Sequence, residues 1–309
     1  MRKCITLSIV CFLTLAANAL QLSDQAKISL LTCSPGAELY STFGHSAIRV
    51  QDPAKKIDWV YNYGTFQFSD DFYVKFAQGK LNYRLSKSTF TDFVNEYIYY
   101  GRQVEEQVFL LSRSNLQLFF DALEENYKPE NRTYRYDFFF DNCSTRILDI
   151  VESTLDGEIK FNDPLPVESM TFREMIDSYQ GHMPWGDFGI DLALGTPCDR
   201  YMVHPEQTFI PDYLRDAFAT MTYNGKPIVS EAREIIPLKT PKETNLIDWP
   251  LIVAWSLFAF NLFWALMAVT MKKDILGIDI TFLVIYGIIG LLVFLLWFAT
   301  DHTITKGNM

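Results

Sequence analysis

Two stretches near the C-terminus carry no charged side chain at all: Pro250 to Met271 and Ile280 to Thr300. Each has about the ~20 residues that a helix needs to cross the hydrocarbon core of a bilayer. Lipid offers the backbone no hydrogen-bond partner, so an isolated run of this kind can only be helical there. Lys272 and Lys273 fall in the short connection between the two runs, and basic connections stay on the cytoplasmic side. The pattern predicts a membrane hairpin with a cytoplasmic turn and both ends facing outward. The N-terminus points to the same topology independently. Arg2 and Lys3, an apolar run from Ile5 to Leu15, and Ala17-Asn18-Ala19 read as a secretory signal with its cleavage site. The alternative is an uncleaved N-terminal anchor. The expected organisation is therefore a signal over 1–19, an exported domain over 20–245, and two transmembrane helices within 246–309, at about 250–271 and 280–300.

The formal net charge of −10 speaks against a nucleic-acid partner, because a polyanion is bound by excess positive charge. Aromatic residues make up 15% of the chain, a share that suits either a domain lying close to lipid or an aromatic core. Export also changes the reading of the cysteines. Cys4 and Cys11 leave with the signal, and Cys33, Cys143 and Cys198 enter an oxidising compartment, where cysteines pair. The economical pairing joins Cys33 to Cys198 and leaves Cys143 free; the alternative keeps all three reduced. No CxxC and no zinc-like Cys/His spacing occurs, so neither a metal nor a cofactor is expected.

Within the exported part, residues 25–43 mix apolar and small residues around the turn signal Pro35-Gly36. Residues 45–51 and 57–63 read as two strands joined by QDPAKK. Residues 104–111 read as a further strand, and the aromatic run 133–140 as a strand or extended segment. Helical spacing occurs over 89–99, 113–126, 171–179 and 211–221, while 181–200, rich in Gly and Asp, reads as a long loop. The mixture predicts an α+β domain with a small antiparallel sheet.

Two motifs in this domain carry chemistry. GHSAIRV places His45 at the head of a strand, and DNCSTR places Cys143 at the head of a helix, after the cap residues Asp141-Asn142. A helix N-terminus favours thiolate over thiol, and a histidine can take the thiol proton and return it to a leaving group. Asn62, in DWVYNYGTF, can sit beside His45 on the paired strand and orient its ring, with Tyr61 and Tyr63 on the opposite face. A one-residue register slip would exchange those faces. Backbone N–H groups at the helix start would meet an oxyanion, with Tyr40, Ser46 and Asn142 as further donors. Arg146, one turn on, is either a phosphate contact or a surface charge. His182, His204 and His302 compete with His45, and Asp187 and Asp191 are read either as paired carboxylates or as turn formers. A buried structural cysteine is the bland reading of Cys143.

LLTCSPGAELYSTFGHSAIRV, VYNYGTFQF, FAQGKLNYRLS and RYDFFFDNCSTR, in this order, resemble the Lnb N-terminal periplasmic domain family over most of 20–240. The resemblance implies a Bacteroides-type lipoprotein N-acyltransferase in the inner membrane, with its catalytic domain on the periplasmic side. Its implied partners are a phospholipid acyl donor and a diacylglyceryl-cysteine lipoprotein acceptor. The order of His, polar residue and Cys is also similar to lecithin:retinol acyltransferase and its permuted NlpC-type, papain-like relatives. That similarity implies a permuted papain-like fold and acyl transfer through a Cys143 thioester. The departure from the retinol enzyme is Asn62, which stands where that enzyme has a second histidine. Two other readings stand beside this one: an exported papain-like cysteine hydrolase of cell-wall peptides, and a non-enzymatic membrane sensor domain.

Overall fold

The computed structural model describes residues 20–66, 70–71, 74–75, 78–162, 170–238, 247–272, 276–302 and 305. The signal segment, Lys273 and the rest of the 273–275 connection lie outside them. In chain order, the first half contains β1 (Lys27–Cys33), β2 (His45–Asp52), β3 (Ile57–Thr65), β4 (Asn82–Thr89), α1 (Phe90–Tyr99), β5 (Val104–Val108), α2 (Arg113–Tyr127), β6 (Thr133–Arg135) and α3 (Cys143–Thr154). The second half adds β7 (Ile159–Lys160), α4 (Phe172–Gln180), α5 (Pro184–Ala193), α6 (Pro211–Thr220), β8 (Thr222–Tyr223), β9 (Lys226–Pro227) and β10 (Arg233–Ile236). The two apolar helices α7 (Trp249–Met271) and α8 (Leu276–Phe298) follow. The domain is thus α+β with an antiparallel sheet, in the order β10-β5-β1-β2-β3-β4-β6. A second, three-stranded sheet is formed by β7-β8-β9.

The alternation of side chains along the central strands builds two apolar layers. Ile28 and Leu30 of β1, Ile48 and Val50 of β2, and Tyr61 and Tyr63 of β3 face α2 and α3, where Phe119, Phe120, Ile147 and Val151 complete the main core. Leu31, Cys33, Ala47 and Val60 form a smaller core with Phe93 and Tyr97 of α1 on the other face. Because β1 is buried on both faces apart from Lys27, it lacks the polar–apolar alternation that marks a one-sided strand. The hairpin of β2 and β3 turns through Pro53–Lys55 and closes at Lys56 in the left-handed region, φ 57°.

Three sequence expectations are corrected here. The aromatic run 133–140 is a strand only to Arg135. Asp137 and Asp141 exchange backbone hydrogen bonds, and Asp137 Oδ1 accepts from the N–H groups of Phe139 and Phe140. This local turn competes successfully with the sheet. The segment 181–200 is not a long loop but contains α5: Pro184 occupies the first helical turn, Asp187 follows it there, and both favour helix initiation. The strand expected over 104–111 ends at Val108.

Neither apolar helix buries a residue, so α7 and α8 present apolar surface all round, as membrane-spanning helices do. Asp248 caps α7 by accepting from Leu251 N–H at 3.0 Å. Beyond α8 the chain returns to the domain. Asp301 N–H donates to Gln78 O at 2.8 Å, and the Asp301 carboxylate pairs with Arg135.

The smaller core also holds a buried charge network. The Arg49 guanidinium is forked onto Asp58 (2.7 and 2.8 Å), donates to Glu106 at 3.0 Å, and lies 3.4 Å over the Phe90 ring. Arg233 reaches the other Glu106 oxygen at 2.6 Å. Removing Arg49 leaves the buried Glu106 with only the exposed Arg233 as its partner. Arg49→Ala is expected to lower unfolding free energy by about 1–3 kcal/mol. Arg49→Met with Glu106→Leu should recover most of that loss. Denaturant titration of the detergent-solubilised protein checks both, and equal destabilisation by the single and double variants would refute the account.

Candidate active site

Asn142 sets the geometry at the head of α3. Its Oδ1 accepts from the Ser144 and Thr145 backbone N–H groups at 2.7 and 3.0 Å, and Thr145 Oγ1 accepts from Asn142 N–H at 2.8 Å. This is a reciprocal capping box. The Asn142 Nδ2 group donates to Phe138 O at 2.7 Å and Phe209 O at 2.9 Å. Its side chain is therefore fully spent on holding the helix start, which corrects the expectation that it donates to an oxyanion. Arg146 N–H bonds Asn142 O at 3.2 Å. Among the described residues, no hydrogen bond engages the Cys143 N–H of this first turn.

The Cys143 thiol, at the first helical position, lies 4.0 Å from the Ser144 hydroxyl, and His45 and the Ser46 backbone N–H are near enough to act on its ionisation. His45 leads β2 directly after Gly44. Gly44 has φ +82°, and a Cβ there would come within 2.8 Å of Cys33 O, so only glycine lets the chain enter the strand at this angle. On the other side, Gly64 lies against the ring: a Cβ there would make an ordinary contact with His45 Cε1 at 3.8 Å, and it is the left-handed φ of +86° that calls for glycine. The β3–β4 register shifts between Asn62 and Thr65, the kind of irregularity that re-aims side chains. Asn62 Oδ1 lies 2.6 Å from His45 Nε2. An amide oxygen only accepts, so the ring proton sits on Nε2 and the basic nitrogen, Nδ1, is left for the thiol. Tyr61 and Tyr63 are buried toward α2, where Tyr61 bonds Glu124 and Tyr63 accepts from Asn126 at 2.9 Å.

The electrostatics separate the three cysteines. Burial pushes the Cys143 thiol up, but the charge of His45 and the hydrogen bonds from His45, Ser46 N–H and Ser144 outweigh it, and the thiol lies below its ordinary value. Burial likewise works against the His45 cation, and Cys143 overcomes it so that His45 is raised. Both shifts favour the thiolate–imidazolium pair. Cys33, opposite His45 across the sheet, is pushed by burial up to about 12, and Cys198 up to about 11.

The other sequence candidates fall elsewhere. Cys33 and Cys198 are both free thiols, which corrects the expected disulfide. Cys33 is packed against Tyr97 in the small core beneath the sheet, and Cys198 is packed with Phe172 and Phe209 in a separate cluster. Ser46 acts through its backbone; its hydroxyl is buried on the Ser144 hydroxyl at 3.0 Å. Arg146 is not a loose surface charge. It forks onto Asp141 at 2.5 and 2.8 Å and lies 3.6 Å over the Tyr134 ring. Tyr40 is exposed, with its ring edge-on to Phe66. His182 stands 3.5 Å from the Thr42 hydroxyl, and His204 accepts or donates at Gln207 and packs on Phe161. Asp187 and Asp191 lie on α5 and cluster with Asp177, with Arg173 bridging Asp191 and Asp199. Sequence reasoning missed Arg102, which depresses His45 electrostatically, and the stacked pair Tyr83–Tyr136, whose phenols feel the Cys143 charge. None of these carries a motif; only the fold gathers them.

Residues 17–178 match the family model described as the Lnb N-terminal periplasmic domain, and residues 242–309 match that described as the Lnb transmembrane domain. Neither a curated protein nor a solved structure matches the chain.

Alkylation by iodoacetamide is expected to label Cys143 alone, because the thiolate is the reactive form and the other two thiols are held protonated. Labelling should rise through a pH below the ordinary thiol value of about 8.5. In His45→Ala the offset to burial is gone, so the profile should move to higher pH, with at least a roughly tenfold slower reaction near neutrality. Peptide mass mapping against pH reads this out. An unchanged profile in the variant would show that His45 does not set the thiol's reactivity.

Proposed function

The chain belongs to the Lnb family, and from that membership together with the array at Cys143 we propose that it is a lipoprotein N-acyltransferase working through a cysteine thioester. The observation that carries the proposal is the Asn62–His45–Cys143 array at the N-terminus of a capped helix, on a protein with two apolar helices of membrane-spanning length. We place the domain on the periplasmic side of the inner membrane. We read its strand-histidine and helix-cysteine arrangement as a permuted papain-like one.

In the first half-reaction, His45 Nδ1 takes the Cys143 proton and the sulfur attacks an ester carbonyl of a phospholipid. The oxyanion so formed meets the free Cys143 N–H. As the intermediate collapses, the carbon–oxygen ester bond breaks, His45 gives its proton to the glycerol oxygen, and a lysophospholipid leaves. In the second half-reaction, the α-amine of a diacylglyceryl-cysteine lipoprotein attacks the thioester carbonyl. His45 accepts the amine proton and returns it to the departing sulfur, which leaves an amide and the original thiol. Asn62 holds the imidazole in the tautomer that both halves need. Donor and acceptor both reside in the membrane that anchors the enzyme, which raises their effective concentration at the thiol.

Purified protein reconstituted with phospholipid is expected to carry one hydroxylamine-sensitive acyl group on Cys143, visible by intact mass. Cys143→Ala should abolish both the adduct and lipoprotein N-acylation while the protein stays folded in the membrane. His45→Ala should lose roughly 10²–10⁴-fold, and Asn62→Ala less, since it contributes geometry and not bond-making. Release of free fatty acid without transfer to an amine would show that water, not a lipoprotein amine, resolves the thioester, and wild-type N-acylation by Cys143→Ala would rule out the covalent path.

A further inference from the structure

Helix α5 exposes an apolar stripe that no part of the described domain covers. Trp185, Phe188 and Leu192 are 54%, 51% and 39% exposed. At about 3.6 residues per turn they fall on one face, while Ile190 on another face packs into the aromatic cluster of α4. The stripe continues the membrane anchor: α5 packs against both α7 and α8. Asp187 of α5 also feels the charge of Asp248, the cap at the outer end of α7. That places α5 at the level where the apolar helices emerge on the domain's side. Tryptophan and phenylalanine on one face of a short helix are suited to the headgroup–acyl boundary.

A line of apolar side chains leads from this helix to the thiol. A Cβ on Gly186 would meet Leu39 Cδ1 at 3.5 Å, so the 3-10 turn Leu39–Ser41 lies against α5. From its exposed Tyr40 the rings run to Phe66 at 6.1 Å, to Tyr83 at 5.3 Å, and to Tyr136 stacked at 4.1 Å. Phe66, Tyr136 and Cys143 pack at the margin of the same core as Tyr83, and Tyr83 and Tyr136 both feel the Cys143 charge.

We infer that α5 seats the domain in the outer boundary of the bilayer, and that an acyl chain of a bilayer phospholipid passes from α5 along Tyr40, Phe66, Tyr83 and Tyr136 to Cys143. The occupant of the stripe is lipid, because the stripe is continuous with two helices whose apolar surface faces lipid. The path deepens the acyl-transfer reading and rests on it for the identity of the chain that uses it; the seat of α5 does not.

Two measurements on the full-length protein in phosphatidylethanolamine–phosphatidylglycerol vesicles test this. A nitroxide at Phe188→Cys, in a Cys143→Ala background, should collide with oxygen more often than with a water-soluble nickel chelate. The reverse is expected at the exposed control Glu158→Cys. In the Cys143 protein, Trp185→Ser with Phe188→Ser should reduce adduct formation from vesicle phospholipid by at least roughly tenfold. Alkylation of Cys143 by iodoacetamide should stay within about twofold, since it needs no lipid path. A water-exposed nitroxide, or one immobilised against protein, would overturn the seat. Unimpaired adduct formation in the double variant would overturn the path. If wild-type protein forms no adduct at all, the acyl-transfer reading and the path fail together, and the nitroxide still decides whether α5 lies in lipid.

Discussion

Every feature of the site depends on how Asn142 holds the start of α3. Four hydrogen bonds from one side chain join the first turn of the helix, the turn at Phe138 and the backbone at Phe209. Without them the first N–H groups of α3 would compete for other partners. With them Cys143 is fixed at a position where its sulfur meets His45 and its own N–H stays unengaged. The same bonds tie the helix, which packs in the main core, to the aromatic cluster of Phe138 and Phe209, so the site cannot shift without disturbing the packing around it.

The environment of His45 shows how one fold makes two neighbouring thiols chemically opposite. Cys33 is the register partner of His45 on the neighbouring strand and Cys143 is its chemical partner, yet one is inert and one activated. Burial penalises the thiolate in each. The difference is in the partners: Cys33 bonds a tyrosine deep under the sheet, whereas Cys143 gains a cation and two further donors. The tautomer enforced by Asn62 directs the basic nitrogen to Cys143 alone.

The local chemistry of the site was legible in the sequence. A cap residue before a cysteine, a histidine opening a β-branched run, and a polar residue on the next strand each act over a few residues, and each appears at the expected place. What failed depended on distant contacts. Arg146 reads as a free cation because nothing in the sequence shows Tyr134 beneath it. Cys33 and Cys198 read as a pair because parity of cysteines says nothing of the two separate clusters that bury them. The α5 segment reads as a loop because Gly and Asp are counted there, while Pro184 and Asp187 at its start decide for a helix. Strand β1 escapes notice because burial on both faces erases its alternation.

The return of the chain to the domain after α8 has a mechanical consequence. A head carried on a single stalk swivels about it and meets its substrates at every angle. Here Asp248 caps the outgoing helix, and Asp301, just beyond the incoming one, is tied to Arg135 and Gln78. Two attachment points remove most rotational freedom, so the thiol is held at one height and one bearing above the lipid. Under the acyl-transfer proposal, encounter then depends on how many donor and acceptor molecules occupy a unit of membrane area, and the orientational entropy of each encounter has been spent once, when the protein folded.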